Sequence, residues 1–326
     1  MHGWIVIDKP VGPGSTRIVS AVKRALREGG YARMKVGHGG TLDPLASGVL
    51  PIAIGEATKL CGRMLGADKV YEFTIRFGEE TDTLDAEGEV AGRSDARPTL
   101  DEVQAVLPRF TGEIEQVPPA FSALKVEGKR AYALARAGEV VELTSRRITV
   151  HSLTASPEPV EGRITDANRA STGSALAVEE VALTARVSKG TYIRSLARDI
   201  ALALETVGHV TMLRRTKAGP FGLDSAISLD KLAELAKARE LEQALLPLTA
   251  GLDDIPALPV TPDQARALRE GRRLAGTAAK PGLHLATDRS VPVALVELSE
   301  GELRVVRGFN IWTKEFDDVG DSRAQD

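Results

Sequence analysis

Apolar residues recur along this chain at two spacings, and the spacing assigns most of its elements. WIVID (4–8) reads as a short strand. From Ser15 to Glu28 the positions Ile18, Val22 and Leu26 share one helical face. Ser15 or Thr16 offers the N-cap there, and Gly29-Gly30 offers the stop. VYEFTIRFG (70–78) alternates like a strand, LDEVQAVLPRF (100–110) has helical spacing, and residues 145–152 and 179–187 again alternate. VPPAFSALKVEGKRAY (117–132) has a proline-rich entry followed by a strand-turn pattern. Residues 191–208 give the strongest helical stripe, with Ile193, Leu196, Ala197, Ile200, Ala201 and Leu204 on one face. Residues 156–177 are polar and rich in small side chains, which predicts an exposed loop.

Proline and glycine cluster in LPLTAGLDDIPALPVTPDQ (246–264), which places a boundary there. Beyond it PDQARALREGRRL predicts one short helix, and VPVALVEL-SEGE-LRVVRGF (291–309) predicts a β-hairpin. The expected organisation is a large unit over 1–250 and a small β-rich unit over 251–326. Helices and strands do not alternate regularly and no repeat stands out. The fold class is therefore α+β, with a mixed, mainly antiparallel sheet flanked by helices.

Composition changes this picture little: 326 residues with 43% hydrophobic and 27% charged positions suit a folded globular chain. Cys61 is the single cysteine, which excludes an internal disulfide and a cysteine-built zinc site. No basic n-region with a long apolar run opens the sequence, and no run is long enough for a bilayer, so a cytoplasmic protein and no membrane association are expected. Charge is more informative. The net charge of −3 hides a segregation: residues 1–40 carry seven Lys/Arg against two acids, and residues 186–217 repeat that balance. Residues 79–102 hold nine acids against Arg93 and Arg97. Two basic windows beside an acidic one suggest a partitioned surface, although solvated charges alone account for any one window.

Candidate chemistry centres on GHGGTLDPLASG, where one acid, Asp43, sits among glycines and before Pro44. Asp43 is either the N-cap of a helix opened by Pro44, or a carboxylate held out for chemistry at a loop-helix junction; the two readings are compatible. Gly37, Gly39, Gly40 and Gly48 would let the backbone of a ligand come close. PVGPGST (10–16) lacks the lysine of a phosphate loop, which argues against nucleotide binding, yet Lys9 near a helix start suits an RNA phosphate. His38 is either an exposed loop histidine or a flat wedge that stacks in nucleic acid. Tyr71 taken alone is a strand aromatic. Arg194 and Arg198, four apart, taken alone form a solvated face. Neither a Ser-His-Asp arrangement nor metal-ligand spacing is present.

GHGGTLDPLASGVLPIAIGEATKL closely resembles the catalytic motif of the TruB family, the bacterial tRNA pseudouridine-55 synthases. IDKPVGPGS, KVYEFTIRFGEETDTLDAEGEV, FTGEIEQVPPAFSALKVEGKRAYALARAG, KGTYIRSLARDI and GHVTMLRRT are similar to further family blocks in family order. Together they cover most of residues 3–222.

The resemblance implies a pseudouridine synthase fold with a small C-terminal PUA-like RNA-binding domain. It also implies isomerisation of one T-loop uridine of tRNA, by breaking N1–C1′ and rejoining the base through C5. Asp43 matches the catalytic aspartate, Arg194 its paired arginine and Tyr71 the tyrosine that packs on the target base. His38 matches the histidine that helps extrude the nucleotide, Tyr192 and Leu213 match substrate contacts, and Asp85 matches an acid near the site. Residues 112–138 correspond to a mobile segment that closes on RNA. Flipping a stacked base costs a few kcal/mol, which a wedge in the vacated stack offsets. A carboxylate screened from water keeps its charge beside a cation, hence the pairing with arginine. The reaction is redox-neutral and consumes no water, so neither cofactor nor metal is expected. Phe121 stands where the family usually has tyrosine, residues 156–177 are longer than usual, and the acidic tail EFDDVGDSRAQD is expected to be disordered. The partner expected is the T-arm and elbow of tRNA, bound by a monomer without a guide RNA. A tRNA-folding chaperone without chemistry and a guide-RNA-dependent synthase are the competing readings.

Overall fold

A computed structural model describes residues 1–122, 124–126, 128–139, 143–155 and 177–311. Residues 156–176 of the insertion at 156–177 and the acidic tail lie outside the described residues. The chain opens with β1 (Gly3–Lys9) and α1 (Ser15–Glu28). β2 (Val36–His38) and β3 (Ser47–Ile54) flank the glycine-rich loop, and α2 (Cys61–Gly66) leads into β4 (Lys69–Phe77). The hairpin of β5 (Glu79–Thr81) and β6 (Val90–Arg93) precedes α3 (Leu100–Val106) and β7 (Gly112–Gln116). An excursion then carries β8 (Lys125–Val126), β9 (Lys129–Arg130) and α4 (Ala131–Arg136) before β10 (Arg146–Ala155) and β11 (Glu180–Val187). α5 (Ile193–Ala203) and β12 (Gly208–Ala218) follow. Next come β13 (Phe221–Gly222), β14 (Ala226–Ile227), α6 (Leu229–Ala238) and β15 (Leu246–Pro247). The last part comprises β16 (Ala257–Pro259), α7 (Pro262–Arg269), β17 (Leu274–Ala275), β18 (Gly282–Asp288), β19 (Val291–Ser299) and β20 (Glu302–Gly308).

The large sheet runs β14-β1-β3-β12-β4-β11-β10-β7, with β2, β13 and β15 paired at its side. Among the described residues only β1/β14 and β3/β12 of this sheet's strands pair in parallel, so the sheet is mixed and mainly antiparallel, as the pattern predicts. β3 is buried from Gly48 to Ile54 because its continuous apolar run lies inside the sheet. α5 buries Ile193, Leu196, Ala197, Ile200 and Ala201, and α1 buries Ile18, Val22 and Leu26. Both helices contribute to one core with Phe73, Ile75 and Val210 of the sheet.

Three local readings change. The N-cap of α1 is Gly14, not Ser15 or Thr16. The Ser15 hydroxyl is committed elsewhere: it donates to the Leu42 carbonyl at 3.0 Å and accepts from the Leu42 N–H at 2.8 Å. α5 ends at Ala203, with Leu204 half-buried beyond it, because Glu205 turns left-handed at φ 57°. α3 ends at Val106, and Leu107–Phe110 tightens to a 3-10 turn around Pro108, which lacks the N–H to continue.

The second sheet runs β16-β18-β19-β20-β17, and the predicted hairpin is β19–β20. It encloses its own small core of residues such as Leu268, Val293, Val296 and Leu303. A third cluster joins the two sheets: Trp4, Phe221 and Leu248 pack with Leu285, Leu295 and Phe309. Trp4 Nε1 donates to the Leu248 carbonyl at 3.2 Å, and Lys59 Nζ to the Gly308 carbonyl at 2.8 Å.

Gly48 marks the point where the glycine-rich loop enters the sheet beside β12. Its φ is +100°, and a Cβ there would meet the Arg215 carbonyl at 2.1 Å. Gly48→Ala is expected to destabilise the protein by at least about 2 kcal/mol, read as a lowered midpoint in urea unfolding with an unchanged slope.

Candidate active site

The site is built where β3, β12, α5 and the Asp85 turn converge. Asp43 does not cap a helix. Pro44 and Leu45 form a bend, the Ala46 N–H returns to the Asp43 carbonyl at 3.1 Å, and β3 begins at Ser47. The apolar run after Pro44 belongs to a sheet, so Asp43 stands at a loop-strand junction.

The glycines around it serve the protein's own packing. A Cβ on Gly39 would lie 2.8 Å from Met64 Cβ, and one on Gly37 3.3 Å from Cys61 Sγ. Gly40, at φ +154°, lies against the Arg215 guanidinium. Gly37 and Gly39 admit neighbouring side chains, whereas Gly40 also lines the cleft in front of Asp43. Arg215 is fully buried and laces the loop, donating to the carbonyls of Val49 (2.8 Å), Gly40 (3.2 Å) and Thr41 (3.3 Å). Lys9 acts similarly and is not a surface phosphate contact. Its buried ammonium donates to the carbonyls of Pro10 at 2.9 Å and Pro44 at 3.3 Å, propping the turn behind Asp43. Burial pushes Lys9 down to about 8, with Asp43 and Glu87 opposing the shift.

Arg194, at the start of α5, joins the parts. It donates through Nη2 to Asp43 Oδ2 at 2.7 Å and pairs through Nη1 with Asp85 Oδ2 at 3.2 Å. It also donates to the carbonyls of Thr83 (2.7 Å) and Phe121 (2.9 Å). Phe121 thus contributes its main chain here, and that contact needs no hydroxyl. The side chains of Arg194 and Asp85 are 6% and 3% exposed, whereas that of Asp43 is 39% exposed. Asp85 is also satisfied at Oδ1 by the Thr83 hydroxyl (2.6 Å) and the Glu87 N–H (3.1 Å). Asp85 therefore anchors the guanidinium, and Asp43 is the carboxylate the anchor presents outward. The Glu87 carboxyl titrates above its ordinary range through desolvation and the nearby Asp85 and Asp43 charges.

Asp43 opens into a cleft of about 270 Å³ lined also by Tyr71, Tyr192, Leu213, Lys69 and Arg194. Tyr71 comes from β4 and Leu213 from β12, which face each other across the sheet ladder. Tyr192 is pinned by Gln116, whose amide accepts from its N–H at 2.8 Å and donates to its carbonyl at 3.1 Å. The Arg146 guanidinium lies over the Tyr192 ring at 4.7 Å. His38 does not line this cleft. It ends β2 half-buried, and Gly40 N–H approaches its Nδ1 at 3.4 Å. Burial and the Arg215 charge lower its pKa, so its ring stays neutral at physiological pH. Among the described residues no three His, Cys, Asp or Glu side chains converge to hold a metal ion.

Arg215, Lys69, Gln116, Arg146 and Glu87 escape the sequence reading. Arg215 carries a signal only in retrospect, as a second arginine beside Arg214 on an alternating strand, where one of the two must face inward.

Residues 27–193 match the TruB family pseudouridylate synthase (N terminal domain), and residues 194–253 match the tRNA pseudouridylate synthase B C-terminal domain. The chain belongs to the TruB family. It is 62% identical to the tRNA pseudouridine synthase B of Novosphingobium aromaticivorans, over 95% of this chain and 98% of that one. It is 56% identical to the protein of that name from Zymomonas mobilis, over 95% and 96%. Among solved structures it resembles a chain of an H/ACA RNP bound to a substrate RNA containing 2′-deoxyuridine, with a TM-score of 0.67 and 25% identity over 94% of this chain and 84% of that one. A Cbf5-Nop10-Gar1 complex is similar at a TM-score of 0.65 and 26% identity, over 95% and 84%. The TruB fold thus accounts for the mixed sheet, and membership of the family makes the chain an isomerase of pseudouridine chemistry. The boundary between the two TruB matches falls inside α5, immediately before Arg194.

Lys9 generates a pH test of the turn behind Asp43. Its pKa is about 8 folded against 10.5 for a free lysine, so between those values the unfolded chain binds more protons. Stability from this group therefore rises with pH across that window, by at most about 3.4 kcal/mol, and is flat below it. Subtracting the melting curves of Lys9→Met from those of the wild type between pH 7 and 10.5 should isolate the rise.

Proposed function

We propose that this TruB-family chain isomerises the T-loop uridine at position 55 of tRNA to pseudouridine, with Asp43 as the nucleophile acting on a flipped nucleotide. The observation that carries the reading is the Asp43–Arg194 pair of 2.7 Å, which faces a cleft lined by Tyr71, Tyr192 and Leu213. Arg194 holds the carboxylate in place and aims it, Tyr71 offers a flat apolar face with a polar tip to the base, and Tyr192 and Leu213 close the sides. The N1–C1′ bond breaks, the base turns, C5 bonds to C1′, the C5 proton leaves and N1 takes up a proton, so no atom is gained or lost overall. Attack at C1′, addition at C6 and assisted loss of the C2′ proton all require the ionised carboxylate in this place.

Transfer of RNA from stack to cleft suits the surroundings. Lys23, Arg27, Arg33 and Lys35 line a second hollow of about 860 Å³ that begins at Val36 and Gly37, next to His38. These cations favour a phosphate backbone, and the neutral His38 ring is suited to fill the space an extruded base vacates. We read residues 112–138 as the part that grips the RNA, and the sheet of β16–β20 as a PUA-like RNA-binding unit of a cytoplasmic monomer. The names of the Novosphingobium and Zymomonas relatives favour tRNA as the substrate, and the guide-dependent reading draws on the more distant H/ACA structures.

The test uses a tRNA transcript tritiated at uracil C5. The wild type should release tritium, and replacing the position-55 uridine should abolish release. Asp43→Asn should lower the rate at least about 1000-fold while retaining tRNA binding. Tight binding with no release by the wild type would favour the chaperone reading. Tyr71→Phe should bind tRNA yet stall before C5 deprotonation, and unchanged turnover would remove Tyr71 from the proton-transfer step.

A further inference from the structure

Arg146 is the first residue of β10, opposite Gln116 at the end of β7, where the excursion between those strands leaves the sheet. Its guanidinium plane lies over Tyr192. Among the described residues, two of its nitrogens, Nε and Nη2, are shielded from solvent and have no hydrogen-bond partner. These are the two donors on one edge of the guanidinium, with parallel N–H bonds, and that edge matches two oxygens of a phosphate or carboxylate. A charged fork shielded from water and left empty is costly, and proteins seldom keep one without a ligand to fill it. The nearby acid Glu115 does not fill it: Glu115 accepts from Ser145 at 3.0 Å and pairs in register with Arg147, whose side chain alternates to the other face.

Position fixes the kind of anion. Tyr192 and Gly190 line the cleft beside Asp43, and Gly190 lies against the guanidinium, where a Cβ would sit 3.8 Å from it. With φ +83° and no side chain, Gly190 brings the cleft lining close to Cζ and Nη1 of this guanidinium, whose Nε–Nη2 edge lies on the far side from Nη1. Lys189 beside it is exposed and adds positive charge. We propose that the Nε–Nη2 edge of Arg146 binds a backbone phosphodiester flanking the nucleotide held in the cleft. The stacked Tyr192 ring fixes the guanidinium plane, so one phosphate and one ring wall set the nucleotide's depth relative to Asp43. This inference rests on the RNA-modifying reading above and adds a specific contact to it.

The experiment uses a T-arm hairpin in which the phosphodiesters on either side of the target uridine are replaced, one at a time, by uncharged methylphosphonates. Binding is measured to Asp43→Asn protein and to the same protein carrying Arg146→Met or Arg146→Lys. One methylphosphonate should weaken binding to the parent roughly 10- to 100-fold. Arg146→Met should weaken binding to the natural hairpin by a similar factor and show no further loss at that methylphosphonate. Its salt slope should fall by about one. Arg146→Lys keeps the charge but not the fork and should recover only part of the loss. The free Arg146→Met protein should melt no lower than its parent, since an empty buried fork is removed. Additive losses at every methylphosphonate, or unchanged affinity in Arg146→Met, would overturn the proposal. So would a lowered melting temperature with additive binding losses, which would make Arg146 only a prop for Tyr192. Failure of the functional reading is separate, because it appears as a wild type that releases no tritium.

Discussion

A single guanidinium shared between a buried and an open carboxylate is the constraint on which the site depends. Arg194 reaches the glycine-rich loop through Asp43, the acidic turn through Asp85 and Thr83, and the excursion through Phe121. Three segments distant in sequence are thereby indexed to the first turn of α5. Such a cluster is weak evidence for stability, because withdrawing charges from water costs about as much as their attraction returns. Its value is directional. Asp85 is fully satisfied, so the arginine cannot swing, and the remaining carboxylate is aimed by a fixed partner.

The surroundings repeat this device with main-chain oxygens. Arg215, Lys9 and Lys69 are buried cations whose hydrogen bonds go to carbonyls of loops and a helix end. Burial pushes Lys69, like Lys9, down to about 8. The glycine-rich loop and the turns beside it are stitched to the sheet by Lys9 of β1 and Arg215 of β12, and Lys69 of β4 closes the end of α2. Of the three, Lys9 also lies near the Asp43 and Glu87 charges, which oppose the fall in its pKa. The loop is rigid because of what lies beneath it.

Much of the scaffold could be read directly, because α1, α5, β4 and the β19–β20 hairpin carry clean periodicity. Asp43, Arg194 and Tyr71 were legible through motif resemblance, and local pattern alone favoured a cap, a solvated face and a strand aromatic. The errors share one cause. Lys9 looked like a surface cation, and Gly37 and Gly39 looked like space for a ligand, because a sequence does not say which side of a loop faces a neighbour. Met64, Cys61 and Arg215 occupy that side, and each is remote from or unremarkable beside the loop in sequence. Arg146 was invisible for a similar reason: its importance lies in two donors with no partner, and an absence leaves no pattern of letters.

The first strand has a further consequence for how the molecule is made. β1 lies inside the large sheet, yet two of its neighbours, β14 and β15, are more than two hundred positions downstream. Trp4 is buried among residues as late as Leu295 and Phe309. During synthesis the segment around Trp4 leaves the ribosome long before those neighbours exist, so it must wait, paired at most with β3, until the chain has emerged past Phe309. Closure of the Trp4 cluster is therefore a late event in biogenesis. A chain truncated before it would leave a hydrophobic edge uncovered, which gives quality control a ready means of telling finished molecules from unfinished ones.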